Sequence, residues 1–128
     1  MRDRKTEAKI ISPDCFRMQK LVDDNFYDTL HNSQGISLVM FTSVGCASCR
    51  AWKEILRQYL SINRDIMVFE VDAHESMALA NEYEIFHLPA LFLFRDGEFH
   101  SELHSEANTE KVHQAIQQAL QAPAQEAP

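Results

Sequence analysis

The hydrophobic positions along this chain follow two periods, one typical of buried strands and one typical of amphipathic helices. A continuous apolar run at residues 38–41 predicts a central strand buried on both faces, and residues 66–71 predict a second one. From about Ala47, apolar side chains recur every three or four residues, which predicts a long helix with one buried face. Those side chains are Trp52, Ile55, Leu56, Tyr59 and Leu60. This order of strand, helix and strand predicts a right-handed parallel crossover.

Shorter elements are predicted on either side of this crossover. Residues 16–22 are predicted to form a short first strand, and the polar residues 23–25 supply an N-cap for the helix that follows. A further short helix is predicted at residues 77–83, after the second central strand. The central elements therefore continue a pattern that alternates strand and helix.

The last third of the chain changes character. The pair Asp96-Gly97 lies between two apolar runs, which predicts a hairpin because its tight turn needs positive φ. A final helix from Asn108 or Thr109 has its apolar side chains on one stripe. Together the elements predict an α/β fold, with a central mixed sheet of four to five strands and helices on both faces.

We predict one domain over residues 16–121. Residues 1–15 are polar and form an N-terminal extension, and residues 122–128, rich in proline, alanine and glutamine, are predicted to be a disordered tail. The start of the chain does not lead into an apolar core of the secretory-signal kind, so we expect a cytoplasmic location if Met1 is the natural start. No apolar run approaches the ~20 residues that cross a bilayer.

Charge narrows the choice of partners. The formal net charge is −7, whereas nucleic acids and anionic membrane surfaces call for basic patches. We therefore expect neither nucleic acid nor membrane as a partner.

The candidate chemistry lies in a pair of cysteines. Cys46 and Cys49 stand where the first central strand has ended and the long helix begins, while Cys15 stands alone. Unpaired N–H groups and the helix dipole at a helix N-terminus favour a thiolate, which is the reactive form of cysteine. Residues three apart share a helix face, so Cys49 is placed to attack a mixed disulfide formed by Cys46. The pattern predicts a nucleophile at Cys46 and a resolving thiol at Cys49.

Other interpretations of the pair stay open. A zinc site needs four ligands, and the six histidines and Cys15 include no second pair at finger-like spacing. A metal or cluster carrier would therefore need distant ligands or a second chain. The pair is also compatible with an inert, buried role, and Cys15 is interpreted as a bystander that packs as a small apolar group.

The chain resembles the thioredoxin family over about residues 16–121. The resemblance rests on residues 38–49, 69–72 and 88–94, and on the Asp96-Gly97 turn. It implies a protein-disulfide oxidoreductase that acts on disulfide-containing proteins, with a reductase or other electron donor as a second partner. We expect no small-molecule cofactor, no metal and a monomer. The alternative is an interaction or assembly module that binds extended segments without turnover.

The resemblance also implies a substrate-binding surface. In this family a cis proline packs against the cysteine pair, and Pro89 matches it. Leu88, just before it, would offer its backbone to an extended substrate segment by strand addition. Gly45, which stands where the family usually has tryptophan, is the third predicted substrate-binding residue.

Several positions depart from the family's pattern. Ala47-Ser48 replaces the usual Gly-Pro between the cysteines, and Ser105 replaces a glycine of the substrate groove. The family's buried aspartate falls at Met40, and its lysine neighbour on the next strand falls at Glu70. We hypothesise that Glu70 takes the aspartate's place as proton acceptor for Cys49. These departures predict a partner surface different from that of a general-purpose thioredoxin.

Overall fold

The computed structural model describes residues 18–128. Within them, strands and helices alternate until the final hairpin and helix. In chain order they are β1 (Gln19–Leu21), α1 (Phe26–His31), β2 (Ile36–Thr42), α2 (Ala47–Ile62), β3 (Ile66–Asp72), α3 (Met77–Glu82), β4 (Ala90–Arg95), β5 (Glu98–Leu103) and α4 (Thr109–Gln121).

The strands form one mixed sheet in the order β1-β3-β2-β4-β5. β2 lies at its centre, parallel to β3 on one side and antiparallel to β4 on the other. The β2-α2-β3 unit is the parallel crossover that the periodicity predicts. The predicted α/β fold with a mixed sheet is confirmed, with five strands among residues 18–128.

Successive side chains of β2 pack into two different cores. Val39 and Phe41 belong to the core shared with α1 and α3, whereas Leu38 and Met40 belong to the core shared with α2 and α4. All four are fully buried. Side chains of a strand alternate between its two faces, so a strand that is covered by helices on both sides buries its successive side chains. The continuous apolar run at 38–41 follows from this double burial.

Element boundaries differ from expectation at the N-terminal side. Of the predicted first strand at residues 16–22, residues 16 and 17 lie outside the described residues, and β1 covers Gln19–Leu21 without residues 18 and 22. Asn25 is the N-cap residue of α1, but its side chain accepts a hydrogen bond from the Val22 amide at 2.8 Å instead of capping the helix. The predicted extension at residues 1–15, with Cys15, lies outside the described residues. None of the helices between residues 18 and 128 is long and apolar enough to cross a membrane.

The end of the chain runs along β5. Residues 122–128 are exposed, and residues 123–128 have no regular secondary structure. The Gln125 amide donates a hydrogen bond to the His100 carbonyl at 2.6 Å, and the Gln125 side chain accepts one from the Glu102 amide at 3.3 Å. The disordered tail and the domain limits 16–121 stay predictions.

The predicted hairpin joins β4 to β5 through Asp96 and Gly97, whose φ angles are 53° and 83°. Positive φ at both central residues is the geometry that suits a two-residue hairpin. The turn is anchored to the loop before β2, since the Asp96 amide donates to the Gly35 carbonyl at 2.7 Å. A Cβ atom on Gly97 would lie 2.7 Å from the Leu30 carbonyl oxygen. Gly97 is therefore required for backbone conformation and for close packing against α1.

Replacing Gly97 with alanine tests this packing, with Gly35→Ala as a matched control. Gly35 has a φ of 80° but open space around its Cβ position. We expect Gly35→Ala to lower the free energy of unfolding by about 1 kcal/mol, because an L-residue is strained at positive φ. Gly97→Ala should lower it by about 2–4 kcal/mol, because overpacking adds to that strain. Urea unfolding of the oxidised proteins measures both, and equal losses would contradict the packing argument.

Candidate active site

The candidate active site lies at one edge of the sheet. β2 ends there at Thr42, and α2 begins at Ala47 after a short loop. β4 runs antiparallel to β2 and begins at the same edge, with Ala90 paired to Phe41. Because of this pairing, the loop that contains the cysteines and the loop that contains Pro89 lie next to each other.

Cys46 and Cys49 are joined by a disulfide, and their Cα atoms are 5.2 Å apart. Cys46 is the N-cap residue of α2, and its sulfur accepts a hydrogen bond from the Cys49 amide at 3.1 Å. Its backbone is extended while Ala47 begins the helix, the N-cap geometry in which the Cys49 amide reaches the sulfur. Cys49 is only 2% exposed, whereas Cys46 is half-buried. The two cysteines therefore differ in their exposure to solvent.

Ser48 connects the disulfide to the proline loop. Its hydroxyl lies 3.5 Å from the Cys46 sulfur and donates a hydrogen bond to the Leu88 carbonyl at 3.4 Å. The sequence marks Ser48 only as a departure from the family's Gly-Pro, and gives no signal for its contact with a residue 40 positions away.

The predicted substrate-binding residues lie at this edge. The Leu88–Pro89 peptide bond is cis, and both residues are half-buried. Gly45 is exposed in the loop before Cys46. Pro89 and Ser105 line one cavity of about 220 Å³, which we call the proline groove. Other residues lining it include Trp52, His87, Leu103 and His104. Trp52, which the periodicity assigns to the core, is thus also part of the groove.

Two large apolar side chains next to the predicted substrate-binding residues face solvent. Val44 precedes Gly45 and is 90% exposed, and Phe86 is two residues before Leu88 and is 88% exposed. Exposed apolar side chains of this size are typical of surfaces that bind other proteins when they cluster. Sequence reasoning missed both, because they lie in loops outside the periodic patterns.

Glu70 is paired with a lysine rather than standing alone. It lies on β3 opposite Met40, on the face of the sheet that α2 covers. Its carboxylate accepts a hydrogen bond from the Thr42 hydroxyl at 2.8 Å and forms an ion pair with Lys53 at 2.7 Å. Lys53 follows Cys49 by four residues, so it lies one helical turn away on the same face of α2. That spacing was the available signal for Lys53, and sequence reasoning missed it.

Among residues 18–128, no group of three or more histidine, cysteine, aspartate or glutamate side chains is arranged to hold a metal ion. In that part of the chain, the cysteine pair has no further ligands of these types grouped around it.

A five-stranded mixed sheet with helices on both faces, and a bonded cysteine pair at the N-terminus of α2, define a protein with the thioredoxin fold and a C-x-x-C site. Residues 17–118 match the protein-family model Thioredoxin. The chain therefore belongs to the thioredoxin family, as the resemblance predicts.

Relatives and solved structures agree with this assignment. The chain is similar to thioredoxin Y1, chloroplastic, of Arabidopsis thaliana, with 33% identity over 68% of this chain and 51% of that protein. It thus spans about half of that relative's length. Thioredoxin-like protein slr0233 of Synechocystis is 35% identical over 58% of this chain and 71% of its own. Oxidised mitochondrial thioredoxin 3 of Saccharomyces cerevisiae has a TM-score of 0.68 at 21% identity, covering 79% of this chain and 94% of its own, which supports the fold.

The unequal burial of the two sulfurs predicts unequal alkylation after reduction. In a Cys15→Ser background, we expect iodoacetamide to modify Cys46 at least about tenfold faster than Cys49, because Cys46 is accessible and its thiolate is stabilised. Mass spectrometry of the cysteine peptides over time measures both rates. Cys46→Ser provides the control, since its remaining Cys49 should stay slow. Comparable rates at the two positions would refute the assignment of Cys46 as the accessible thiol.

Proposed function

We propose that this protein is a thiol–disulfide oxidoreductase that reduces or exchanges protein disulfides through Cys46 and Cys49. Membership of the thioredoxin family and the bonded cysteine pair support an oxidoreductase at this general level. The observation that carries the proposal is the asymmetry of the pair. One sulfur is partly accessible and receives an amide hydrogen bond at a helix N-terminus, while the other is buried within bonding reach of it.

In the proposed reaction the reduced protein transfers two electrons to its substrate. The Cys46 thiolate attacks one sulfur of a substrate disulfide, and the other substrate sulfur leaves as a thiolate and takes up a proton. Cys49 then loses its proton and attacks the Cys46 sulfur of the mixed disulfide. This forms the Cys46–Cys49 bond and releases the second substrate sulfur, which is also protonated. A reductase or other dithiol donor returns the two electrons.

The ionised form of Cys46 is supported by its place at the start of α2. The Cys49 amide donates to the Cys46 sulfur, and the positive end of the helix dipole adds to this interaction. Both effects favour the thiolate over the thiol. They would hold the pKa of the reduced Cys46 thiol below that of a free cysteine.

The proposed substrate is an extended segment of a disulfide-containing protein. Leu88 would pair its backbone with such a segment, and Pro89 and Gly45 would flank the disulfide. The exposed Val44 and Phe86 supply apolar contact area beside these residues. A substrate protein with apolar residues next to the disulfide that is reduced fits this surface best.

We further propose that Glu70 accepts the proton of Cys49 during resolution of the mixed disulfide. Glu70 lies beneath α2, and its partner Lys53 is one helical turn from Cys49. Lys53 and Thr42 hold the carboxylate in place at the sheet face under the helix. A carboxylate held at a fixed position can act as a general base.

Insulin reduction with cysteine variants tests the oxidoreductase proposal. We expect Cys46→Ser and Cys49→Ser each to lower the rate at least about a hundredfold, because each removes one of the two successive steps. Cys49→Ser should also retain the substrate as a mixed disulfide with Cys46, visible as a band that a reductant removes. Cys15→Ser is the matched control and should keep the parent rate. Full activity in either active-site variant would instead favour the interaction module.

Glu70→Gln tests the proton acceptor. We expect the second release of thionitrobenzoate from an equimolar reaction with Ellman's reagent, which reports attack by Cys49, to slow about tenfold at pH 7. The deficit should shrink as pH rises, because solution hydroxide then ionises Cys49 directly. Glu75→Gln is the control, since Glu75 also pairs with a lysine, Lys20, but on the surface. Equal second-phase rates for Glu70→Gln and the parent at pH 7 would exclude Glu70 as the acceptor.

A further inference from the structure

The hydroxyl of Ser48 lies between two groups that the proposed reaction uses. It is 3.5 Å from the sulfur of Cys46 and 3.4 Å from the carbonyl oxygen of Leu88. A serine hydroxyl has a single proton to donate, so it serves one of these acceptors at a time. Ser48 is exposed in the first turn of α2, and its hydroxyl hydrogen can rotate toward either acceptor.

The better acceptor changes with the redox state of Cys46. In the disulfide the sulfur is neutral and a weak acceptor, so the hydroxyl donates to the Leu88 carbonyl, as the structure shows. After reduction the sulfur carries a negative charge, and hydrogen bonds to a charged acceptor are roughly twice as strong as those between neutral groups. The hydroxyl of Ser48 then donates its hydrogen bond to the sulfur of Cys46.

We propose that Ser48 is a redox-dependent hydrogen-bond switch that donates to Leu88 in the oxidised protein and to the Cys46 thiolate in the reduced protein. This inference rests on the proposed function. In the reduced protein the switch stabilises the nucleophile and leaves the Leu88 carbonyl free to accept an N–H group from an extended substrate. After the disulfide has formed, the hydroxyl returns to that carbonyl and competes with the product.

Ser48 would thus link catalysis to recognition. A substrate that pairs with Leu88 binds best when Cys46 is ready to attack, and is released when the electrons have been transferred. A residue without a donor at position 48 leaves the Leu88 carbonyl equally free in both redox states. Ser48 is therefore inferred to set the preference of the site for substrate over product.

The first arm of the test measures the Cys46 thiolate. In a Cys15→Ser background, the pH dependence of Cys46 alkylation should shift upward by about half a pH unit in Ser48→Ala, a roughly threefold change in the ionisation constant. Ser48→Thr keeps the hydroxyl and should stay near the parent midpoint. Ser61→Ala, which removes another exposed serine hydroxyl of α2, should leave the midpoint unchanged.

The second arm observes the Leu88 carbonyl directly. Leu88 is the only leucine followed by proline in the chain, so labelling with carbonyl-¹³C leucine and ¹⁵N proline isolates its signal. Loss of a hydrogen bond moves a carbonyl carbon upfield. We expect an upfield change on reduction in the parent protein and in Ser48→Thr, and little or no change in Ser48→Ala.

The outcomes separate this inference from the proposed function. An unchanged alkylation midpoint in Ser48→Ala, an equal shift in Ser48→Thr, or the same carbonyl change in Ser48→Ala as in the parent would each overturn the switch. Neither arm requires turnover. Failure of the parent protein to reduce insulin, with both arms as expected, would overturn the proposed function and leave the switch in place.

Discussion

The amide of Cys49 donates a hydrogen bond to the sulfur of Cys46, and the features of the site follow from that contact. It exists because β2 ends one short loop before α2 begins, so that Cys46 is the N-cap residue. The same geometry directs Cys49 inward, where it is covered, and leaves Cys46 partly open. One local arrangement of backbone therefore gives two chemically similar side chains different access and different electrostatic surroundings.

The sheet holds this arrangement in place. β2 is buried on both faces, and packed side chains on each side prevent it from shifting relative to α2. Its antiparallel pairing with β4 brings the loop of Leu88 and Pro89 to the disulfide. The Gly97 turn at the opposite end of the hairpin packs against α1. The position of the proline loop is thus determined by the register of β4 against β2. A one-residue slip in that register would move every side chain of β4 to the opposite face of the sheet.

The strands and helices that hold the site were predictable from the sequence, because periodicity indicates which face of a strand or helix is buried. The double burial of residues 38–41 and the buried face of α2 were predicted in this way, whereas the Asp96-Gly97 turn was predicted from its need for positive φ. The contacts of Ser48 with Leu88 and of Lys53 with Glu70 were not predictable in the same way. Each joins residues far apart in sequence, and each depends on side-chain placement across two elements. The boundary of β1 was missed because a short edge strand has too few residues to show a period.

Two polar residues, Ser48 and Glu70, stand at positions where the family usually has other residues. Ser48 is at the surface, close to Cys46 and to the backbone that would receive a substrate. Glu70 is under α2, with Lys53 and Thr42 holding it, on the side of Cys49. Ser48 is exposed to solvent, whereas the side chain of Glu70 is 18% exposed and is paired with Lys53. Burying a charge costs less free energy when that charge is paired and hydrogen-bonded. The Lys53–Glu70 pair therefore places a carboxylate under α2, although Met40 occupies the position that matches the family's aspartate.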